Sequence, residues 1–221
     1  MSAAPLEPGH LAARLSARLA AVGCEADAGA VDRLVRWLAL HGKWSRVANL
    51  TGTRDVNELV DLHLMDSAAV AARLPEGSVL DVGSGSGLPG LVIAALQPAR
   101  SVTVLDAAQK RTRFLAQAVL DLGLQNVDVV TARCEEWRPE RKPDWVVARA
   151  VAPLVRLVSW TSHLLDQGAH LLAMKGPAWE EEASALPCGY RVTAVTPYDV
   201  PGTDRAHVLV EIECSEVQGE G

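Results

Sequence analysis

The chain has 221 residues, of which 49% are hydrophobic and 22% charged, with a formal net charge of −6. That balance describes a folded chain the size of one nucleotide-binding domain, alone or with a small appendage, and argues against disorder. It also argues against a protein that holds nucleic acid by bulk electrostatics alone, because such binding rests on neutralising phosphates, although a local basic face is compatible with it.

No run of residues reaches the length of a membrane span, and Arg14 and Arg18 interrupt the Ala/Leu pattern of the first 23 residues, so neither a membrane partner nor a signal-peptide core is expected. Cys24, Cys134, Cys188 and Cys214 are scattered without a C-x-x-C, as expected of reduced thiols in a cytoplasmic protein.

In chain order, the spacing of Leu11, Leu15, Leu19 and Val22 predicts a helix over Pro8–Ala21. A second is predicted over 30–41, with Val31, Leu34, Val35 and Leu38 on one stripe and Asp27 at its start. A polar turn at 47–52 leads to a third helical stretch over 55–74, opened by Asp55 and closed by Pro75-Glu76-Gly77. Val79–Val82 reads as a strand and 91–96 as an apolar helix. Strands are then predicted over 101–106, 126–131, 144–148 and 169–174, with helices over 108–122 and 153–165. A short acidic helix over 179–186 and two strands over 190–195 and 207–213 follow. Alternating strands and helices imply a mostly parallel sheet with helices on both faces, and the closing strand pair implies an antiparallel edge. The expected class is α/β, with an N-terminal helical cap.

Between the strand at 79–82 and the helix at 91–96 lies Gly83-Ser84-Gly85-Ser86-Gly87-Leu88-Pro89-Gly90. Strand, glycine turn and helix in that order make the first half of a βαβ nucleotide-binding unit. The dinucleotide fingerprint G-x-G-x-x-G, started at Gly83, meets Leu88 where its third glycine belongs. The run Asp81-x-Gly83-x-Gly85-x-Gly87 resembles instead the first motif of Rossmann-like methyltransferases that use S-adenosylmethionine, a cofactor with no pyrophosphate to cradle. Asp106, at the end of the next strand, is placed to accept hydrogen bonds from ribose hydroxyls, a geometry that NAD enzymes share. Asp81 either serves the ligand or only satisfies loop N–H groups.

Asn49-Leu50-Thr51, His63-Leu64-Met65-Asp66-Ser67, the glycine loop with its Leu88-Pro89-Gly90 ending, Leu105-Asp106, Lys110-Arg111 with Phe114-Leu115, Arg149-Ala150-Val151-Ala152 and Lys175-Gly176 occur in this order. The string is similar to the RsmG (GidB) family over residues 44–213. The resemblance implies a Rossmann-like class I fold, S-adenosylmethionine as methyl donor, and formation of 7-methylguanosine in 16S rRNA of the small ribosomal subunit. It implies cofactor contacts at Gly83, Leu88, Cys134, Glu135 and Arg149, to which loop and strand position add Gly85 and Asp106. Cys134 stands where a small or aliphatic residue is expected, which a backbone contact tolerates. The organisation expected is a helical extension over 1–74, a methyltransferase domain over 75–215 and a frayed tail over 216–221, acting as a monomer. A methyltransferase acting on a small molecule or protein is the alternative reading.

Guanine N7 carries a lone pair and no proton, so methylating it needs alignment more than a general base, and no catalytic residue is assigned. Candidate substrate contacts are His63, Asp66, Lys110, Arg111 and Lys175, with Arg113 and Arg149 as further cations. Lys110, Arg111 and Arg113 equally suit a solvated helix face. His63 and Asp66, three apart on one helix, either line the substrate mouth or tie the helical extension down by hydrogen bonds. No metal set is expected. Trp179 is the one candidate for base stacking, and the remaining Trp residues read as core. His10, His41, His163, His170 and His207 form no constellation, and Cys188 reads as structural.

Overall fold

A computed structural model describes residues 8–45, 55–203 and 206–215, so the turn at 47–52, Asn49-Leu50-Thr51 and the tail at 216–221 lie outside the described residues. Helices α1 (Pro8–Ala21) and α2 (Ala28–Trp44) come first, and the Asp27 carboxylate caps α2 by accepting from the Ala30 N–H at 2.6 Å. Next comes one helical rod of three parts: α3 (Val56–Glu58), a π turn (Leu59–Leu64) and α4 (Met65–Ala71). Asp55 opens it, accepting from the Asn57 N–H at 2.8 Å. The rod ends three residues before the predicted 74, and its wide π turn was not foreseen.

The alternating part follows as β1 (Val79–Val82), α5 (Gly90–Leu96), β2 (Val102–Asp106), α6 (Gln109–Leu122), β3 (Val127–Thr131), β4 (Trp145–Arg149), α7 (Leu154–Leu165) and β5 (His170–Lys175). Helix α8 (Trp179–Ser184) and strands β6 (Tyr190–Tyr198) and β7 (His207–Cys214) complete it. The seven strands lie in the order β3-β2-β1-β4-β5-β7-β6. Strands β1 to β5 are mutually parallel, and β7 runs antiparallel to both β5 and β6. This is the α/β architecture expected, antiparallel edge included. Strand β6 runs three residues past the predicted end, through Pro197, which an edge strand tolerates because it needs no N–H on its outer side.

Strand alternation splits the core in two. Val79, Val102, Val104 and Val147 face one layer with Leu91, Phe114 and Leu115, joined by Leu15, Leu34, Trp37 and Met65 of the preceding helices. Leu80, Val82, Val146 and Ala148 face the other, packed on Leu154, Leu157 and Val158. The chain order reverses between β1 and β4, and ligands of open α/β sheets bind beyond the strand ends at such a point.

Candidate active site

A cavity of about 560 Å³ opens at that reversal, beyond the carboxyl ends of β1, β2, β3 and β4. Gly83, Gly85, Leu88, Asp106, Cys134, Glu135 and Arg149 all line it, as do His63 and Arg111. Asp66, Lys110 and Lys175 do not.

On the β1–β2 side, a short local web holds the wall. The Gly83 and Ser84 N–H groups donate to the Leu105 carbonyl at 2.8 and 3.1 Å, pinning the loop to β2. Asp106, 4% exposed, accepts from the Gly85 N–H at 3.0 Å and the Ala108 N–H at 2.8 Å, with Arg111 Nη1 at 3.3 Å. Gly83 and Gly85 take φ of +69° and +57°. A Cβ on Gly83 would strike Val151 at 2.9 Å, whereas one on Gly85 would meet only the Gly83 carbonyl, at 3.8 Å. Gly83 is thus packed under Val151, and the backbone at Gly85 is left bare for a close ligand approach.

Asp81 lies below the wall. Its Oδ2 accepts from the Gly90 N–H at 2.9 Å, and its buried Oδ1 has no partner among the described residues. Burial pushes this carboxyl up to about 6 against the pull of the Gly90 hydrogen bond. The structural role weighed for Asp81 is therefore present. The loop is also held from behind: Trp37 of α2 donates its indole N–H to the Ser86 carbonyl at 3.1 Å.

The β4 side is built differently. Arg149 ends β4, and Ala150 after it takes φ +52°, a left-handed conformation uncommon for a residue with a Cβ. Arg149 Nη1 lies 2.8 Å from His63 Nδ1. A guanidinium can only donate, so in this contact Nδ1 is the acceptor. The same Nη1 lies 3.8 Å from Asp66 Oδ2, and the buried Arg149 Nε has no hydrogen-bond partner among the described residues. Asp66, 6% exposed, accepts from the Tyr198 hydroxyl at 2.6 Å, with His207 Nδ1 at 3.4 Å. Burial raises its carboxyl above the usual range, opposed by Tyr198, Arg149 and His207. Sequence reasoning missed Tyr198 and placed His207 in no constellation; both in fact face Asp66.

Lys175 turns away from the cavity. Its Nζ donates to the Ala152 carbonyl at 2.8 Å and to Glu182 at 2.6 Å, and Glu182 also accepts from the Leu154 N–H at 2.8 Å. The lysine, placed at a strand end as expected, braces the loop after Arg149. Cys134, 4% exposed, is a thiol that burial and Glu135 push up to about 12. Trp179 packs partly buried against the α7 layer, while Arg133 and Trp160 join the cavity wall unforeseen. Among the described residues no helix is long and apolar enough to cross a membrane, and no group of three or more His, Cys, Asp or Glu side chains could hold a metal ion.

Comparison with known proteins gives a consistent answer. The family model described as GidB, rRNA small subunit methyltransferase G, matches residues 30–209. A protein of Hydrogenovibrio crunogenus named ribosomal RNA small subunit methyltransferase G is 42% identical, covering 92% of this chain and 95% of its own. One of the same name from Chromohalobacter salexigens is 46% identical, covering 90% and 96%. Among solved structures, a SAM-dependent methyltransferase from Aquifex aeolicus superposes with TM-score 0.51 at 19% identity, over 70% of this chain and 92% of that one, a likeness of fold.

Proposed function

This chain belongs to the GidB family, rRNA small subunit methyltransferase G, and we propose that it transfers a methyl group from S-adenosylmethionine to guanine N7 in 16S rRNA of the small ribosomal subunit. The observation that carries the reading is the family match over residues 30–209, a span that contains every residue lining the cavity at the sheet reversal.

The residues present fit the donor. Asp106 offers carboxylate oxygens where ribose hydroxyls would lie, the bare backbone at Gly85 allows close approach, and Leu88, Leu105 and Val151 supply apolar surface. Arg149 lines the cavity and brings a guanidinium there for an anionic group. When bound, S-adenosylmethionine supplies an electrophilic methyl on a positively charged sulfur. The chain's own task is to hold donor and base in line, since N7 has no proton to lose. Cys134, kept as a thiol, is not poised for the thiolate attack that methylation of pyrimidine carbon requires. Lys110, Arg111 and Arg113 at the start of α6, with Arg133 across the rim, offer cations to phosphates. N7 lies in the deep major groove of A-form RNA, so the target is a loop, bulge or displaced base.

The test is tritium transfer from the donor to naked 16S rRNA, small subunits, proteins and metabolites, followed by nucleoside analysis. Label recovered as 7-methylguanosine supports the reading. Label confined to a protein or small molecule installs the alternative.

A further inference from the structure

We propose that Tyr198 and His207 of the β6–β7 hairpin act through Asp66 as positioning residues for Arg149, so that the donor site is set in part from outside the cavity. The inference rests on the functional reading above, in which Arg149 is a donor-site residue.

The chain of contacts is continuous. Arg149 Nη1 meets His63 at 2.8 Å and Asp66 Oδ2 at 3.8 Å. The other oxygen of Asp66 is held by the Tyr198 hydroxyl at 2.6 Å and faced by His207 Nδ1 at 3.4 Å. Tyr198 is 4% exposed and its ring lies 5.3 Å from that of His207. Arg73, just beyond α4, stands 5.6 Å from the Tyr198 ring centroid. Among the described residues, the groups facing Asp66 are thus Arg149 from β4, Tyr198 from β6 and His207 from β7. His63 of its own rod and Arg73 just beyond it stand beside them.

A buried carboxylate with one oxygen anchored can present the other in only one direction. That direction is toward the guanidinium whose backbone sits beside the left-handed Ala150. Two hairpin side chains therefore restrict where Arg149 can point, though neither lines the cavity. Burial favours protonating Asp66, and protonation removes its attraction for Arg149; the Tyr198 hydrogen bond favours the ionised form. Removing the hydroxyl should therefore let Asp66 take up its proton at higher pH.

The experiment uses the full chain carrying Tyr198→Phe, which keeps the buried ring, with S-adenosylhomocysteine as probe in calorimetry from acid to neutral pH. The expected result is about tenfold weaker binding at neutral pH, the low end of the scale for one lost hydrogen bond to a charged group. The pH at which affinity falls on the acid side should also move upward, with KM for the donor raised more than kcat is lowered. His207→Ala should weaken binding in the same sense, and His207→Asn, whose amide can place an N–H where Nδ1 stands, should restore it. A purely structural hairpin would lower the thermal midpoint without moving the acid limb. If the parent chain binds S-adenosylhomocysteine and Tyr198→Phe binds it identically at every pH, the positioning role is overturned while the functional reading stands. If the parent does not bind it, the functional reading falls and this inference with it.

Discussion

The two sides of the cavity are held by different means. On the β1–β2 side, polar side chains bond to backbone groups close in sequence: Asp106 to Ala108 two residues on and to Gly85 21 residues back, Asp81 to Gly90 nine residues on. On the β4 side, Arg149 meets His63 across 86 residues, and Asp66 meets Tyr198 across 132. One wall is a local motif that its own strand–loop–helix unit completes. The other exists only once distant parts of the chain have packed, because side chain must find side chain. A catalytic cavity at a sheet reversal can thus combine a self-contained wall with one that reports on the assembly of the whole domain.

Lesions on the local wall should act on the donor directly, and the largest effect is expected at Gly85. Gly85→Val forces a β-branched residue to φ +57° and fills bare space, so donor binding should drop more than about a hundredfold while the far-UV spectrum stays native. Gly123→Ala, at φ +65° with no atom near its side chain, is the control that strains the backbone without touching the cavity. Retained binding in Gly85→Val would break the distinction between the two walls.

Asp81 tests what the local wall costs. Its carboxyl sits near 6 in the folded chain and near 3.8 unfolded, so the fold binds that proton more tightly. The resulting stability is complete below the unfolded value and is lost as pH rises through the folded one, up to about 3 kcal/mol. In Asp81→Asn that loss is absent, so thermal midpoints measured from about pH 4 to about pH 7, the window between the two values, should shift in the variant's favour as pH rises. Parallel curves for parent and variant would remove the buried charge from the account.

Asp106→Ala should weaken donor binding by about 1–3 kcal/mol through lost charge-assisted hydrogen bonds, read by calorimetry. Unchanged affinity would sink the ribose role and leave Asp106 a purely structural acceptor for Gly85 and Ala108. The smallest effect on donor binding belongs to the support behind the loop. Trp37→Phe keeps an aromatic ring but trims a fully buried indole and removes the donor to the Ser86 carbonyl, a cost of about 2–3 kcal/mol in stability, with only a modest loss of donor affinity. If donor affinity falls as far as in Asp106→Ala, the local wall is not self-contained and the contrast narrows.

The same difference governs what can be read from the residues alone. The glycine spacing and the acid that ends β2 are visible because their partners lie within one βαβ unit. Arg149 is suggested by resemblance, and His63 and Asp66 stand out by their spacing on one helix, but nothing along the chain pairs them with Arg149. His207 shows no spacing relation to Asp66, and Tyr198 lies beyond Pro197, where a strand reading naturally stops. The position of Lys175 is legible from its strand end; its direction is set by Glu182 and the Ala152 carbonyl, which only packing reveals. Trp37 reads as core and is core, yet nothing along the chain tells that its N–H reaches Ser86. The π turn escapes notice because one wider turn barely disturbs the apolar periodicity of the rod.

That turn bears on inheritance and engineering. Within Leu59–Leu64, Asp61 receives Arg14 and Arg18, each at 2.7 Å, while His63 meets Arg149 at 2.8 Å. Deleting Leu62 would leave enough chain to close an ordinary α-helix, but would turn everything before it by about 100° relative to everything after it. Asp61 would then leave α1, or His63 would leave the cavity. Side chains along this segment can be exchanged one at a time, whereas its length admits no such freedom: a single-residue deletion here should be rejected more firmly than most substitutions.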